Sequence, residues 1–484
     1  MSRVVGAQRE RRRRRRTVVA LGLVVGVVAL TGAARPRDRF DRRSGQLESA
    51  LLRAVRAQHF DQVVDFGPVE GACPGSKWCP SPPATIAHMP NIDLAVIALD
   101  RRGRPKSAAD VLFSRDYPTG VGVPIGDDLG TDDVRWRRWN PDRWNGGTFS
   151  ETDGSRATTT GWKDNPPLTA DDDIVPGREK ASIEFMAPYP ASTFKLMVAF
   201  HTLRLVDRDT IDLDRDYRYA PPDGPPITRS TRQFLDKMIT ESDNDSARAL
   251  IKQLHDLGEM DGLNVELHDL DLTTLQVNGT DPASGANWGI GKLTMTSLDT
   301  ARLLLLVNGA PDVLWRTPGG KPVRADVLSS ESRDLFLDLL GDQGWNDILT
   351  TSNWCGRGYP TPGIPSLVAD RWVDEDTGTV TVAGKQFGQD VRPCNDRAEV
   401  SFAHKTGFTY NYLADAGIVR SLNGEDGDYI VVMMSNLGYR YSDASQAGVT
   451  QPVCGDDPGK DRGVCYTEKF AALGRAVDDI LRRR

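Results

Sequence analysis

The chain has 484 residues, of which 60 are Lys or Arg and 67 are Asp or Glu, giving a formal net charge of −7. At roughly 100–200 residues per domain, this length predicts two or more domains or one large domain with insertions. With 39% hydrophobic residues the chain can build a packed core, which argues against wholesale disorder and against a polytopic membrane protein.

The charge is unevenly distributed. Residues 1–34 hold eight arginines and one acid, Glu10, so the remaining 52 basic and 66 acidic residues carry −14. So acidic a body lacks the basic footprint that nucleic acid requires. The run Arg11 to Arg16 precedes an almost wholly apolar stretch, Thr17 to Ala34, that closes on small residues. That is the order of a secretory signal. Arg15-Arg16-Thr17-Val18-Val19 also fits a twin-arginine address. Residues 1–34 are therefore expected to be a cleaved signal peptide or an N-terminal membrane anchor, and the body to be exported to the cell envelope or beyond.

The six cysteines agree with export and fall as local couples: Cys73 with Cys79, Cys355 with Cys394, and Cys454 with Cys465. Their connectivity stays open at this level. The six histidines have no ligand spacing, so no metal site is expected.

In chain order, Leu47 to Val55 has helical apolar spacing, and Asn91 to Asp100 reads as a buried strand. A Gly-Pro turn at 101–105 leads to a second strand near Val111 to Phe113. From Pro118 to Gly177 the pattern dissolves into a long loop holding Trp136, Trp139, Trp144 and Trp162. These tryptophans suit either a sugar- or peptide-binding platform or pins that hold the loop to the body. Ile183 to Met186 is followed by helices at Ser192 to Val206, Thr231 to Thr240, Ser246 to Leu254 and Ser297 to Val307. Strands at Glu399 to His404, Leu413 to Arg420 and Tyr429 to Ser435 precede a terminal amphipathic helix, Thr467 to Leu481. Strands at both ends with helices between predict one sheet closed by distant segments, with the first helix and hairpin as one side of an α/β sandwich. Residues 45–484 then form one discontinuous domain with insertions at about 118–177 and about 354–400.

Three motifs carry chemistry. In Tyr189-Pro190-Ala191-Ser192-Thr193-Phe194-Lys195, a separation of three puts Ser192 and Lys195 on one helical face at a helix start, where free N–H groups favour developing negative charge. Met238 to Asn244 places Ser242 and Asn244 in a polar turn between two helices, and Ala403-His404-Lys405-Thr406-Gly407 lies on a strand. SxxK, SDN and KTG in this order form the motif set of class A β-lactamases and penicillin-binding proteins.

On these residues the sequence resembles the class A β-lactamase and penicillin-binding serine hydrolase family, which implies an α/β fold (an α+β sandwich) with an antiparallel sheet flanked by helices plus an all-helical subdomain. The resemblance implies that Ser192 is the nucleophile that forms an acyl-enzyme and Lys195 its proton acceptor. Ser242 would carry a proton to the leaving nitrogen, and Asn244 would hold the substrate amide and the lysine. Lys405 and Thr406 would bind the substrate carboxylate. Gly407 would let the strand approach an extended substrate, and the N–H groups of Ser192 and Phe408 would form the oxyanion hole. No cofactor is implied.

The sequence departs from the family in two places. The glutamate that activates the deacylating water has no counterpart: the family's spacing from Ser242 lands on Asn278, and the nearest acid is Asp281. Fast acylation and slow release follow. The separation of Ser242 from Lys405, 163 residues, exceeds the family's, and the surplus is assigned to Trp354 to Val400, which carries a hairpin pattern at Thr379 to Lys385. A family arginine on the next strand is replaced by Leu413, with Arg420 a weak stand-in. The leading expectation is a monomeric exported enzyme opening the β-lactam amide. The alternatives are a D,D-peptidase acting on peptidoglycan stem peptides and a non-hydrolytic binding or sensor protein.

Overall fold

The computed structural model describes residues 36–65, 69–70, 78–79, 84–86, 88–139, 169–355, 363–387, 389–409, 411–424, 426–438, 441–443 and 468–482. The arginine-rich leader, Trp144, Trp162, Cys73, Cys454 and Cys465 lie outside them.

The first helix, α1, is longer than its apolar core predicts, running Pro36–Arg56. Strands β1 (Ile92–Leu99) and β2 (Pro105–Phe113) follow, with the short β3 (Val121–Gly122). Late in the chain come β4 (Val400–Phe408), β5 (Leu413–Ser421) and β6 (Tyr429–Ser435). These six strands form one antiparallel sheet in the order β4-β5-β6-β1-β2-β3. The two ends of the chain meet at β6 and β1, where Val431 opposes Val96.

Every residue of β6 is buried, because helices cover both faces of the sheet; a strand so placed reads as a continuous apolar run. Period-2 alternation divides β1 between two cores. Leu94 and Val96 face α1 and the terminal helix, packing with Leu51, Val55, Phe470 and Leu473. Ala95 and Ile97 face the helical side with Leu196, Phe200 and Leu303. Burying each such large aliphatic side chain contributes about 1.5–3 kcal/mol.

The helices are α2 (Lys195–Val206), α3 (Thr231–Thr240), α4 (Asn244–Leu257), α5 (Met260–Asp269), α6 (Ser297–Asn308), α7 (Ser330–Gly341), the short α8 (Arg392–Asn395) and α9 (Glu468–Arg482). Caps explain several boundaries: Ser230 and Gln233 form a capping box on α3, Asp243 accepts from Ser246 N at the start of α4, and Gly258 ends α4 at φ 72°. α5 and α7 are not anticipated by the sequence pattern. α5 buries only Met260, Leu263 and Leu267, too sparse a stripe to stand out.

The expectation of one unbroken loop from 118 to 177 is corrected. β3 adds the sixth strand, and Val134–Arg137 pairs in parallel with Ile183–Met186. Trp136 meets Phe185 edge-on at 5.9 Å, and both Trp136 and Trp139 are buried, so these two tryptophans act as pins. Between 354 and 400, Val380–Val382 and Lys385–Phe387 form the expected hairpin, closed by Ala383 and Gly384 at positive φ. Cys355 and Cys394 are joined by a disulfide with Cα atoms 6.4 Å apart. Among the described residues no helix is long and apolar enough to cross a membrane.

Candidate active site

Ser192 lies in a 3-10 turn, Ala191–Phe194, that runs directly into α2 rather than in the α-helix itself. Three residues per turn keeps Ser192 and Lys195 in line. The turn is entered through Ala191 at φ 48°, a left-handed conformation for a residue that is not glycine. Ser242 shares it, at φ 61°, between the end of α3 and Asp243, the cap of α4. Such residues cost roughly 1–3 kcal/mol and are held by their surroundings. Here the strain turns the Ser242 side chain back toward the two lysines.

Lys195 is fully buried. Its Nζ lies 2.7 Å from Ser242 O, 2.8 Å from Asn244 Oδ1 and 3.3 Å from Ser242 Oγ. Burial holds its amine well below the ordinary lysine range, and the nearby charge of Lys405 pushes it the same way, against Asp243. The Ser242 carbonyl and the Asn244 carboxamide each accept from Nζ, and its third direction faces Ser242 Oγ.

Lys405 comes from the opposite side, on edge strand β4. It too is fully buried, donating to Ser242 Oγ at 3.0 Å and to Thr406 O at 2.8 Å. Burial brings its ammonium down to about 7, while the Asp415 carboxylate pulls it up. Asp415 Oδ1 also meets His404 Nδ1 at 2.7 Å, and His404 Nε2 lies 3.1 Å from Asn346 Oδ1. The Thr406 hydroxyl is buried without a hydrogen-bond partner among the described residues. A Cβ on Gly407 would fall 2.5 Å from Pro190 O and 2.8 Å from Thr193 N, so β4 lies directly against the Ser192 turn. Phe408 ends β4, half-buried, opposite Leu413.

The structure therefore brings Lys195, Ser242, Asn244 and Lys405 together, with Ser192 one turn from Lys195 and Gly407 against its turn. It commits the remaining two residues elsewhere. Asn278 accepts from Asn264 Nδ2 at 3.1 Å and donates to Gln276 Oε1 at 3.2 Å. Asp281 accepts from Ser284 Oγ and Ala283 N in its own turn. Arg420 pairs opposite Ser401, four residues along β4 from Lys405 and roughly 13 Å away at strand spacing, and donates to Asn308. It is not a stand-in for the family arginine.

Sequence reasoning missed Asp415 and Asn346, which reach the site through His404, and Trp345, which touches Phe408. Nothing in their local pattern marks them. Among the described residues no group of His, Cys, Asp or Glu is arranged to hold a metal.

An antiparallel sheet with helices on both faces, and a serine turn facing an SDN turn and a KTG edge strand, defines the serine β-lactamase and transpeptidase class. The chain belongs to the beta-lactamase enzyme family: residues 185–449, more than half of it, match that family, and the match contains all three motifs. Among solved structures it is similar to a class A beta-lactamase from Bacteroides cellulosilyticus, at 13% identity and TM-score 0.44, covering 90% of this chain and 99% of that one. It is also similar to a PBP-A variant solved as an acyl-enzyme with penicillin G, at 15% identity and TM-score 0.42, covering 91% and 97%. A beta-lactamase from Chitinophaga pinensis has 17% identity and TM-score 0.36, covering 60% and 83%. No curated protein matches the chain.

Proposed function

We propose that the protein is an exported serine hydrolase that opens the β-lactam amide through an acyl-enzyme on Ser192 and releases it slowly. The observation that carries the reading is the convergence of Lys195 and Lys405 on Ser242 Oγ, at 3.3 and 3.0 Å, with Ser192 one turn from Lys195. Unprotonated Lys195 accepts the Ser192 proton as Oγ bonds to the substrate carbonyl carbon. The carbonyl π electrons move onto oxygen, where the N–H groups of Ser192 and Phe408 stabilise them. Collapse breaks the C–N bond. The nitrogen takes the Ser242 hydroxyl proton, and Lys195 returns a proton to Ser242. Charged Lys405 and the free Thr406 hydroxyl hold the substrate carboxylate.

A D,D-peptidase acting on peptidoglycan stem peptides is the second reading. The carboxamide of Asn278, which stands where the family's glutamate is expected and cannot take a proton, favours it. The two readings share the first half-reaction. Residues 1–34 direct export and are then removed or retained as an anchor, and residues 45–484 act as one unit.

Mass spectrometry after incubation with a penicillin is expected to show a persistent adduct on Ser192, absent in Ser192→Ala. Rapid return to the free mass with opened drug would overturn slow release. Assays with a chromogenic cephalosporin and with a D-Ala-D-Ala peptide, run side by side, separate the two readings.

A further inference from the structure

The disulfide-bracketed excursion before β4 packs against the indole of Trp345, which in turn meets the ring of Phe408. Gln343, Gly344 and Trp345 cap the end of α3. Gln343 Nε2 donates to Ile239 O at 2.9 Å, Gly344 N to Thr240 O at 2.9 Å and Trp345 Nε1 to Glu241 O at 2.8 Å. Three successive carbonyls at a helix C-terminus, which an α-helix cannot satisfy internally, are thus bonded in order. The next residue is Ser242. The other side of Trp345 meets the Phe408 ring edge-on at 5.8 Å. One side chain therefore holds the residue before Ser242 and the ring of the residue expected to supply an oxyanion N–H.

Trp345 is in turn held by the excursion. Its ring lies 6.3 Å from Phe387 in an edge-on arrangement, and Trp354 meets Phe387 at 5.0 Å. Into this aromatic nest projects Lys385, with Nζ 5.3 Å from the Trp345 ring centroid, 5.3 Å from that of Trp354 and 4.5 Å from that of Phe387. A cation over three aromatic faces is attracted by each quadrupole. A Cβ on Gly344 would fall 2.5 Å from Val382 Cγ1, so the hairpin also presses directly on the capping segment.

We propose that Trp345 and Lys385 are positioning residues for acylation. The hairpin, pinned by Lys385, sets Trp345, and Trp345 sets Ser242 and Phe408 relative to Ser192. This rests on the acyl-enzyme reading above, and it gives the excursion a part in the chemistry rather than a decorative role.

Pre-steady-state acylation by a penicillin tests it, with the full chain as wild type, Trp345→Phe, Lys385→Met and Lys385→Arg. Small displacements of catalytic groups lower rates steeply. The saturating acylation rate should fall about tenfold or more in Trp345→Phe and several-fold in Lys385→Met, with half-saturation changed less than about twofold. Lys385→Arg, which keeps the cation over the rings, should restore the rate to within about twofold. The folded fraction at assay temperature, read by circular dichroism, should be the same in all four.

Wild-type acylation rates in both Trp345→Phe and Lys385→Met would overturn the positioning role. So would a loss that follows the unfolded fraction or that appears only in half-saturation. A wild-type protein that forms no adduct overturns the acyl-enzyme reading itself, a different result from unaltered variants beside an active wild type.

Discussion

Lys195 and Lys405 converge on one hydroxyl, their Nζ atoms 3.3 and 3.0 Å from Ser242 Oγ. Two ammonium groups so close in a buried site repel, and burial disfavours both charges. The arrangement is relieved by unequal titration. Burial holds Lys195 well below the ordinary range, while Lys405, brought down to about 7, is pulled back up by the Asp415 carboxylate.

The first prediction concerns pH. Lys405 is charged below about 7 and loses its proton above it. Binding of a carboxylate-bearing penicillin should therefore weaken as pH rises through about 7, while binding of its methyl ester stays level. Half-saturation of acylation measured from pH 5.5 to 9 checks this. Parallel profiles for acid and ester would remove Lys405 from carboxylate recognition.

Replacing Asp415 by Asn removes the negative charge that raises Lys405 while keeping an oxygen able to accept from His404 Nδ1. Lys405 should then lose its proton at lower pH, and carboxylate binding at pH 7 should weaken roughly two- to tenfold. The measurement is the same profile, displaced to the acid side; an unmoved profile contradicts the assignment.

A Gly407→Ala methyl would meet backbone atoms of Pro190 and Thr193 that cannot swing aside. The substitution should push β4 from the nucleophile turn, costing about 1–3 kcal/mol of stability and slowing acylation about a hundredfold. Urea midpoints and adduct formation read the two effects separately. Full acylation in the variant would mean that the contact is not needed.

Below the sheet, Asp93 and Asp110 are fully buried on neighbouring strands. Burial raises both, Asp93 to about 6, and the charge of Asp93 raises Asp110 further. With folded values above unfolded ones, the native state binds more protons, so the pair's contribution is favourable at low pH and is lost as pH rises through about 6. Asp110→Asn should therefore stabilise by about 2 kcal/mol at pH 8 and little at pH 4. Destabilisation at pH 8 would show that the carboxylate has a partner worth keeping.

Asp281→Asn should leave deacylation unchanged, because its carboxylate accepts from Ser284 Oγ and Ala283 N within its own turn. Adduct lifetime by mass spectrometry decides the point. A longer-lived adduct in the variant would make Asp281 a deacylation base.

The sequence by itself determined the pieces that local spacing encodes. Ser192 and Lys195 are three residues apart, β6 is a run with no polar break before Ser435, and Leu47, Leu51 and Val55 recur at helical spacing. Each can be read because a helix or strand repeats over a few residues. The acidic body and arginine-rich leader were equally plain, since charge needs no fold to be counted. Tertiary structure alone decided the rest. Lys405 reaches Ser242 across 163 residues, and Trp345 reaches Glu241 across 104. Asp93 meets Asp110 only because β1 pairs with β2. The sequence shows that no glutamate stands at Asn278, and only folding shows which neighbours Asn278 and Asp281 bond. Such contacts follow from which strands pair and which helix ends need capping, and no periodicity along the chain records them.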